Sequence, residues 1–243
     1  MNEKEILITG GSGRLGKELI KKYPESLHPS RSMMDITNEE SINKYINNNK
    51  ISIIIHAAAM TDVKKCQNDH KEAWRINVQG TQNIVKTCLK IIPNVSFFYI
   101  STPCVFDGEN APYDEDSAPN PKNYYGFTKV IAENIVSILS NSHIIRTNFV
   151  SREKWPFPKA FVDRFGTYLY SDQVASIISK NLDIFNQKIL HICGSQKISM
   201  YQLAKMSNYE VEEMTMEDID LPLTKDMSLI SKHIAPYDLI KKE

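Results

Sequence analysis

Glu5-Ile6-Leu7-Ile8-Thr9-Gly10-Gly11-Ser12-Gly13-Arg14-Leu15-Gly16 is the stretch whose reading decides the fold. Its first five residues are a short β-forming run. They enter a Gly-x-x-Gly-x-x-Gly turn, and residues 17–23 continue with a helical pattern. In such a unit the first glycine permits the tight turn and the second lets the backbone approach a pyrophosphate. The third lets helix and strand pack closely, while free N–H groups at the helix start face the negative charge. The stretch therefore predicts a dinucleotide phosphate cradle opening a parallel α/β sheet.

The bulk properties agree with a globular chain of this kind. With 243 residues it can bury one large core, or a domain and a small annex. The content is 42% apolar and 24% charged, with net charge +0 and no basic stripe, which argues against nucleic acid or an anionic membrane as partner. Lys4 and Glu5 interrupt any apolar leader, and no run approaches the length of a membrane span. Cys66, Cys88, Cys104 and Cys193 are scattered without metal-binding spacing and read as free thiols in a reducing cytoplasm. The six histidines are equally dispersed, so no metal site is expected.

Further along, residues 27–33 are poor in strand formers, and Pro29 argues for a short or edge strand. Asp35, about twenty residues beyond the glycines, is placed to accept from an adenosine ribose, which favours NADH. It also reads as an N-cap for the helix beginning near Asn38. Arg14 and Arg31 pull towards a 2′-phosphate and NADPH, so the coenzyme stays open between NADH and NADPH. Ile51-Ser52-Ile53-Ile54-Ile55 predicts a central strand covered on both faces. It leads into His56-Ala57-Ala58-Ala59-Met60-Thr61, whose small side chains leave room for a flat cofactor or pack a tight helix–sheet junction. A long helical region follows over residues 69–90. Gly80 within it costs about 1 kcal/mol relative to alanine and points to a close neighbour, either another helix or a subunit.

Residues 95–100 are the next core strand, ending in Ser101-Thr102-Pro103, where Pro103 stops regular pairing and exposes the Thr102 hydroxyl. Residues 109–123 read as a proline-rich surface lid or rim carrying Glu109, Asp114, Glu115 and Asp116, with Asp107 just before it. Next come Tyr125 and Lys129, four apart and so on one helix face. A phenol is a poor acid at neutral pH, and an adjacent ammonium lowers its pKa. Tyr125 would then donate a proton to a carbonyl oxygen as hydride reaches the carbon, with Thr102 as second donor to that oxygen.

These motifs together resemble the extended short-chain dehydrogenase/reductase family and, within it, the dTDP-4-dehydrorhamnose reductase branch. The resemblance is carried by the glycine turn, Met34-Asp35-Ile36-Thr37, Ala57-Ala58-Ala59-Met60-Thr61-Asp62-Val63 and Asn77-Val78-Gln79-Gly80-Thr81. It continues through Ile100-Ser101-Thr102, Val105-Phe106-Asp107-Gly108, Pro112-Tyr113-Asp114-Glu115, Tyr125-Gly126-Phe127-Thr128-Lys129 and Arg146-Thr147-Asn148-Phe149-Val150. It is strong to about residue 150 and looser to Ser199. It implies a Rossmann-type doubly wound parallel sheet over residues 1–150. A small C-terminal α/β substrate lobe over 151–243 would be interleaved with the sheet edge near 165–195. By position, Thr102, Tyr125 and Lys129 become the catalytic trio. Gly10, Ser12, Gly13, Arg14, Leu15, Asp35, Ile36, Ala57, Ala58, Ala59, Thr61, Tyr125 and Lys129 become the coenzyme-binding set, and Asp62 and Val63 border the sugar.

Departures from the family pattern shape the expectation. Pro103-Cys104 stands where the family commonly has Asp-Tyr, which removes the acid–base pair of the related dehydratases and leaves reduction, which needs only the hydroxyls. Phe149 replaces a frequent tryptophan. The segment from Val150 to Tyr170 is abbreviated, and no arginine precedes Pro222, where the family often contacts diphosphate. Ile144-Ile145-Arg146 reads as the sixth core strand, residues 165–170 as a strand, 176–181 as a helix opened by Ser171-Asp172-Gln173-Val174-Ala175, and 189–194 as a further strand. Trp155-Pro156-Phe157-Pro158 reads as an aromatic loop that covers a ligand or seats on the core. The acidic stretch 210–220 reads as a solvated edge strand and a helix cap.

The resemblance implies NAD(P)H-dependent reduction of a 4-keto nucleotide sugar for surface polysaccharide synthesis. Two alternatives stand beside it: a reductase of another small carbonyl substrate, and a non-catalytic coenzyme-binding regulatory subunit. The two long helices offer an interface for a homodimer.

Overall fold

Apolar runs bounded by polar turns form the strands of this chain. The computed structural model describes residues 2–182 and 185–239. In chain order the strands are β1 (Ile6–Thr9), β2 (Ile53–His56), β3 (Ser96–Ser101), β4 (Ser142–Thr147), β5 (Phe149–Val150) and β6 (Lys159–Phe161). They continue with β7 (Phe165–Gly166), β8 (Leu169–Tyr170), β9 (Ile189–Ile192), β10 (Ile198–Ser199), β11 (Glu212–Met214) and β12 (Asp226–Met227). The helices are α1 (Arg14–Lys22), α2 (Glu39–Asn47), α3 (Val63–Asn68), α4 (His70–Trp74), α5 (Gly80–Ile91), α6 (Tyr124–Val136), α7 (Ser171–Asn181) and α8 (Met200–Lys205).

The central sheet runs β1-β2-β3-β4-β9 with every pair parallel. Alternate residues of each strand feed opposite cores. Ile6, Ile8, Ile55, Phe98 and Ile145 pack with Leu15 and Leu19 of α1 and Val174, Ile177 and Ile178 of α7. Leu7, Ile54, Phe97, Tyr99 and Ile144 pack with Ile42 and Ile46 of α2, Ile84 and Val85 of α5, and Ala132 and Val136 of α6. Helices on both faces of a parallel sheet make this a doubly wound α/β fold.

On the outer edge of β1, the expected short strand reduces to one parallel bridge between Leu27 and Leu7, closed by two backbone hydrogen bonds of 2.8 Å. Pro29 follows two residues later and offers no donor. The chain then crosses to β2 on the other side of β1, so the point where the order reverses lies beside the glycine turn.

Several sequence expectations are corrected here. Ile144-Ile145-Arg146 belongs to the fourth strand of the central sheet, not a sixth, because the segment after α1 never pairs as a full strand. Residues 165–170 form two short strands in different sheets: β7 pairs with β10 and β12, and β8 with β5. Helix α7 begins at Ser171, not 176, with the Gln173 side chain accepting the Tyr170 N–H at 3.1 Å. The cap of α2 is Asn38, accepting the Ser41 N–H, not Asp35. The close neighbour of Gly80 within the chain is a loop side chain, not a helix: a Cβ there would stand 2.9 Å from Cδ1 of Ile36.

The acidic loop 109–123 is a bracket rather than a lid. Glu115 is buried and accepts the His191 N–H, the Ser231 hydroxyl and the Lys232 N–H at 3.0, 2.6 and 2.9 Å. Asp107 accepts from Tyr113, and Asp114 and Asp116 pair with Lys232. The stretch 210–220 does contain an edge strand, β11 on β6, and a cap in which Asp218 accepts the Thr215 N–H. Trp155 seats against Ala160, Ala204 and Val211, while Phe157 is exposed. Among the described residues no helix is long and apolar enough to cross a membrane.

Sheet and helix layer are tied by a buried ion pair. Arg146 of β4 donates to both Glu133 carboxylate oxygens, at 3.1 and 2.7 Å, and Ser101 of β3 donates to the same carboxylate at 2.5 Å. Removing one member leaves a charge sealed from water, so Arg146→Met is expected to destabilise the protein by about 3–5 kcal/mol in urea unfolding. Loss of less than about 1 kcal/mol would mean the pair does not hold these layers.

Candidate active site

At the end of β1 the chain turns on Gly10, whose φ of 74° lies in the left-handed region. A Cβ at Gly10 would stand 2.6 Å from the Ala58 nitrogen, and one at Gly16 would stand 2.1 Å from the Gly10 carbonyl oxygen. Helix α1 opens behind Gly13 with no side chain capping its first turn, so its leading N–H groups remain available to an anion. This turn forms one wall of a cleft of about 540 Å³. Gly10, Ser12 and Gly13 border it with Arg31, Asp35, Ile36 and Ala57, Ala58 and Ala59.

Asp35 sits at the cleft edge, its carboxylate accepting the Thr37 N–H and hydroxyl at 2.9 and 2.8 Å and the Arg31 Nε–H at 3.2 Å. These donors outweigh its partial burial and hold its pKa below the ordinary carboxylate value. An anionic hydrogen-bond acceptor and an exposed arginine thus stand side by side. Arg14, Leu15 and Thr61 do not border the cleft: Arg14 and Thr61 are exposed and the Leu15 side chain is packed in the core.

Beneath the cleft floor lies a buried polar row. Thr81 Oγ1 donates to the Asn77 carbonyl at 2.7 Å, which uses its single proton. It therefore accepts from His56 Nε2–H at 3.0 Å. His56 Nδ1 then accepts the Thr9 hydroxyl at 2.6 Å, and Thr9 Oγ1 accepts the Ala58 N–H at 3.3 Å. Proton counting places a proton on His56 Nε2, and burial keeps the ring neutral. Burial, with Lys129 charge nearby, pushes its pKa down to about 3. Asn77 staples the alanine segment to α6, accepting the Met60 N–H at 2.7 Å and donating to the Met60 carbonyl and Thr128 Oγ1 at 3.0 Å each.

Tyr125 and Thr102 meet beyond this row. Gly126 lets α6 close onto the Cys104 carbonyl, where a Cβ would stand 2.0 Å away, and Asn123 caps the helix by accepting the Gly126 N–H at 2.9 Å. Tyr125 is thereby set beside the turn that carries Thr102. Thr102 Oγ1 accepts the Cys104 N–H at 3.2 Å, which leaves its own proton uncommitted.

Lys129, fully enclosed one turn on, donates to the Ile100 carbonyl at 2.7 Å and lies 3.9 Å over the Tyr99 ring. Burial drags its pKa down to about 7, opposed by Glu133. The expected lowering of the Tyr125 pKa is reversed: burial, with the Cys104 and Cys66 thiols nearby, raises it, and the Thr102 hydrogen bond only partly opposes that. The physical reason is direction, since the Lys129 ammonium faces the strand end rather than the phenol.

The structure thus gathers the glycine turn, Asp35, Ile36 and the three alanines around one cleft, and Thr102 with Tyr125 at the neighbouring strand end. His56, Thr9 and Asn77 were not singled out from sequence. The available signal was the placing of polar residues at the carboxyl ends of runs that are otherwise wholly apolar. Among the described residues no group of three or more metal-ligating side chains lies together.

The family described as RmlD substrate binding domain matches residues 4–165. The spore coat polysaccharide biosynthesis protein SpsK of Bacillus subtilis is 27% identical over 244 residues, covering 91% of this chain and 83% of that one. The dTDP-4-dehydrorhamnose reductase of Aggregatibacter actinomycetemcomitans is 28% identical, covering 89% and 82%. The crystal structure of a dTDP-4-dehydrorhamnose reductase from Clostridium acetobutylicum superposes with TM-score 0.82 at 28% identity, covering 93% and 89%. With two-thirds of its length inside the matched region and the same fold throughout, the chain belongs to the RmlD substrate binding domain family.

Proposed function

We propose that this protein is an NAD(P)H-dependent oxidoreductase that reduces the 4-keto group of a nucleotide-activated deoxysugar, as its relatives named dTDP-4-dehydrorhamnose reductase are named for doing. The observation that carries this reading is the buried Tyr125 set beside the Thr102 turn at the carboxyl end of β3, next to β2, whose alanine segment lines the cleft. The cleft fits a dinucleotide on two grounds. A side chain at Gly10 or Gly16 would collide with backbone, and α1 opens without a side-chain cap.

When bound, the coenzyme supplies the hydride. Gly10, Ser12, Gly13 and the N–H groups of Arg14 and Leu15 would hold its phosphates, Asp35 and Ile36 its adenosine end, and Ala57, Ala58 and Ala59 leave room for its body. Lys129 would hold the nicotinamide ribose. Tyr125 acts as the acid: burial keeps the phenol protonated at neutral pH, so its proton is in place for the carbonyl oxygen as that oxygen gains charge. Thr102 Oγ1 is the second donor to that oxygen. The buried row from Thr9 to Thr81 keeps the Ala58 backbone from shifting and adds no charge of its own.

The test is coenzyme oxidation by purified protein with dTDP-4-dehydrorhamnose, NADH and NADPH side by side. Tyr125→Phe is expected to lower kcat by about 100-fold or more with coenzyme affinity retained. Tight coenzyme binding without turnover by the wild type would instead indicate another carbonyl substrate or a regulatory role.

Lys129 gives a second, pH-resolved prediction. Its folded value near 7 lies below the ordinary 10.5, so the folded state binds fewer protons than the unfolded state between those values. Stability present above pH 10.5 is lost as pH falls to 7. The stability advantage of Lys129→Met over wild type should therefore grow by about 1.4 kcal/mol per pH unit on going down to about pH 7, then level off. A difference independent of pH would show that Lys129 is not buried as described.

A further inference from the structure

Residues 35–37 form a turn that borders the cleft, and its anchors come from the helices around it. The Asp35 N–H donates to Ser41 Oγ of α2 at 3.0 Å, and the Ile36 carbonyl accepts from Asn83 Nδ2 of α5 at 3.1 Å. Ile36 itself fills the space that a Cβ at Gly80 would need. A further anchor comes from Arg75, whose Nη1 donates to Thr37 Oγ1 at 2.8 Å. An arginine only donates, so Thr37 Oγ1 accepts there and gives its single proton to Asp35 Oδ1, at 2.8 Å. The Thr37 N–H meets the same oxygen at 2.9 Å, and Arg31 Nε–H meets Oδ2 at 3.2 Å. A carboxylate offers about four acceptor sites. With these three donors in place, one site on Oδ2 is left for a donor from a ligand.

Arg75 is itself held in place. Its Nε and Nη2 close a two-point fork on the Glu72 carboxylate of α4, at 2.7 and 2.6 Å. A part-exposed pair of this kind adds little stability. Gripped at two points, however, the planar guanidinium has its third nitrogen aimed in one direction. Arg75 opens a single π-helical turn (Arg75–Gln79) that joins α4 to α5, a form met mostly at functional sites. Within that turn Ile76 borders the cleft and Asn77 staples the alanine segment. The same turn of helix thus holds both the 35–37 wall and the alanine wall, and Arg75 acts on the cleft without bordering it.

We propose that Arg75 is a positioning residue for the adenosine end of the coenzyme: through the Thr37 hydroxyl it holds the Asp35 carboxylate in the orientation that accepts a ribose hydroxyl. This deepens the coenzyme reading above and rests on it, whichever carbonyl is reduced. The relay runs in one direction, from Arg75 to Thr37 to Asp35, and each hydrogen bond polarises the next. Without Arg75 the Thr37 hydroxyl is free to rotate away from Asp35.

The test titrates purified protein with NADH, with ADP-ribose and with reduced nicotinamide mononucleotide, which lacks the adenosine half. The variants are Arg75→Leu, Arg75→Lys, Thr37→Val and the double variant of Arg75→Leu with Thr37→Val. Arg75→Leu is expected to weaken NADH and ADP-ribose about tenfold, the scale of one charge-assisted hydrogen bond, and to leave the mononucleotide unmoved. Thr37→Val should do the same, and the double variant should lose no more than either alone, because both act through one relay. Arg75→Lys should fall between, since an ammonium can donate to Thr37 but cannot form the fork on Glu72. Thr37→Val carries the test if Arg75→Leu fails to fold. Additive losses would overturn the relay, and an equal loss for the mononucleotide would show a general structural role instead. Tight wild-type binding of NADH and ADP-ribose, indifferent to Arg75 and Thr37, would overturn the assignment and leave the coenzyme reading standing. Wild-type protein that binds neither would overturn both.

Discussion

Polar groups at the carboxyl ends of four parallel strands are sealed from water in this protein, and they have to satisfy one another. That constraint organises the site. Thr9 ends β1, His56 ends β2, Ser101 ends β3 and Arg146 lies near the end of β4, each engaged by a partner from another strand or from the helix layer. Unpaired, each would cost as much as a lost buried hydrogen bond or charge. Paired, they hold the strand ends in fixed register, and the glycine turn, the alanine segment and the Thr102–Pro103 turn inherit that rigidity. The floor of the cleft is an ordered hydrogen-bond chain with the direction of its protons settled.

The same burial makes the chemistry asymmetric. His56 is kept neutral and contributes geometry only. Lys129 is held where its charge is costly, against Tyr99 and the Ile100 carbonyl, and Tyr125 keeps its proton. Sites that pay stability for positioned charge are where ligands complete the electrostatics.

What could be read from the sequence follows physical range. The glycine turn, the apolar strands read over 51–55 and 95–100, and the Tyr125–Lys129 spacing are local patterns, and the structure forms strands at 53–56 and 96–101 and a helix that carries both Tyr125 and Lys129. Long-range partners were not legible. Gly80 announces a close neighbour, but only the fold shows that it is Ile36. Glu115 looks like one acid among several on a loop until its backbone donors from β9 and the C-terminal segment appear. The direction in which Lys129 points depends on the Ile100 carbonyl 29 residues away, so the helical spacing alone overstated its hold on Tyr125. The second half was harder because, β4 and β9 apart, its strands are two or three residues long, too short for alternation to register.

In the proposed reaction hydride crosses from the cleft to a carbonyl held by Tyr125 and Thr102. The most direct measurement is transfer of deuterium from stereospecifically labelled NADPH or NADH to dTDP-4-dehydrorhamnose, with the product analysed by NMR. Deuterium found at C4 of the sugar, and absent with Tyr125→Phe, is the predicted result. Coenzyme bound in the cleft with no label reaching the sugar would contradict it.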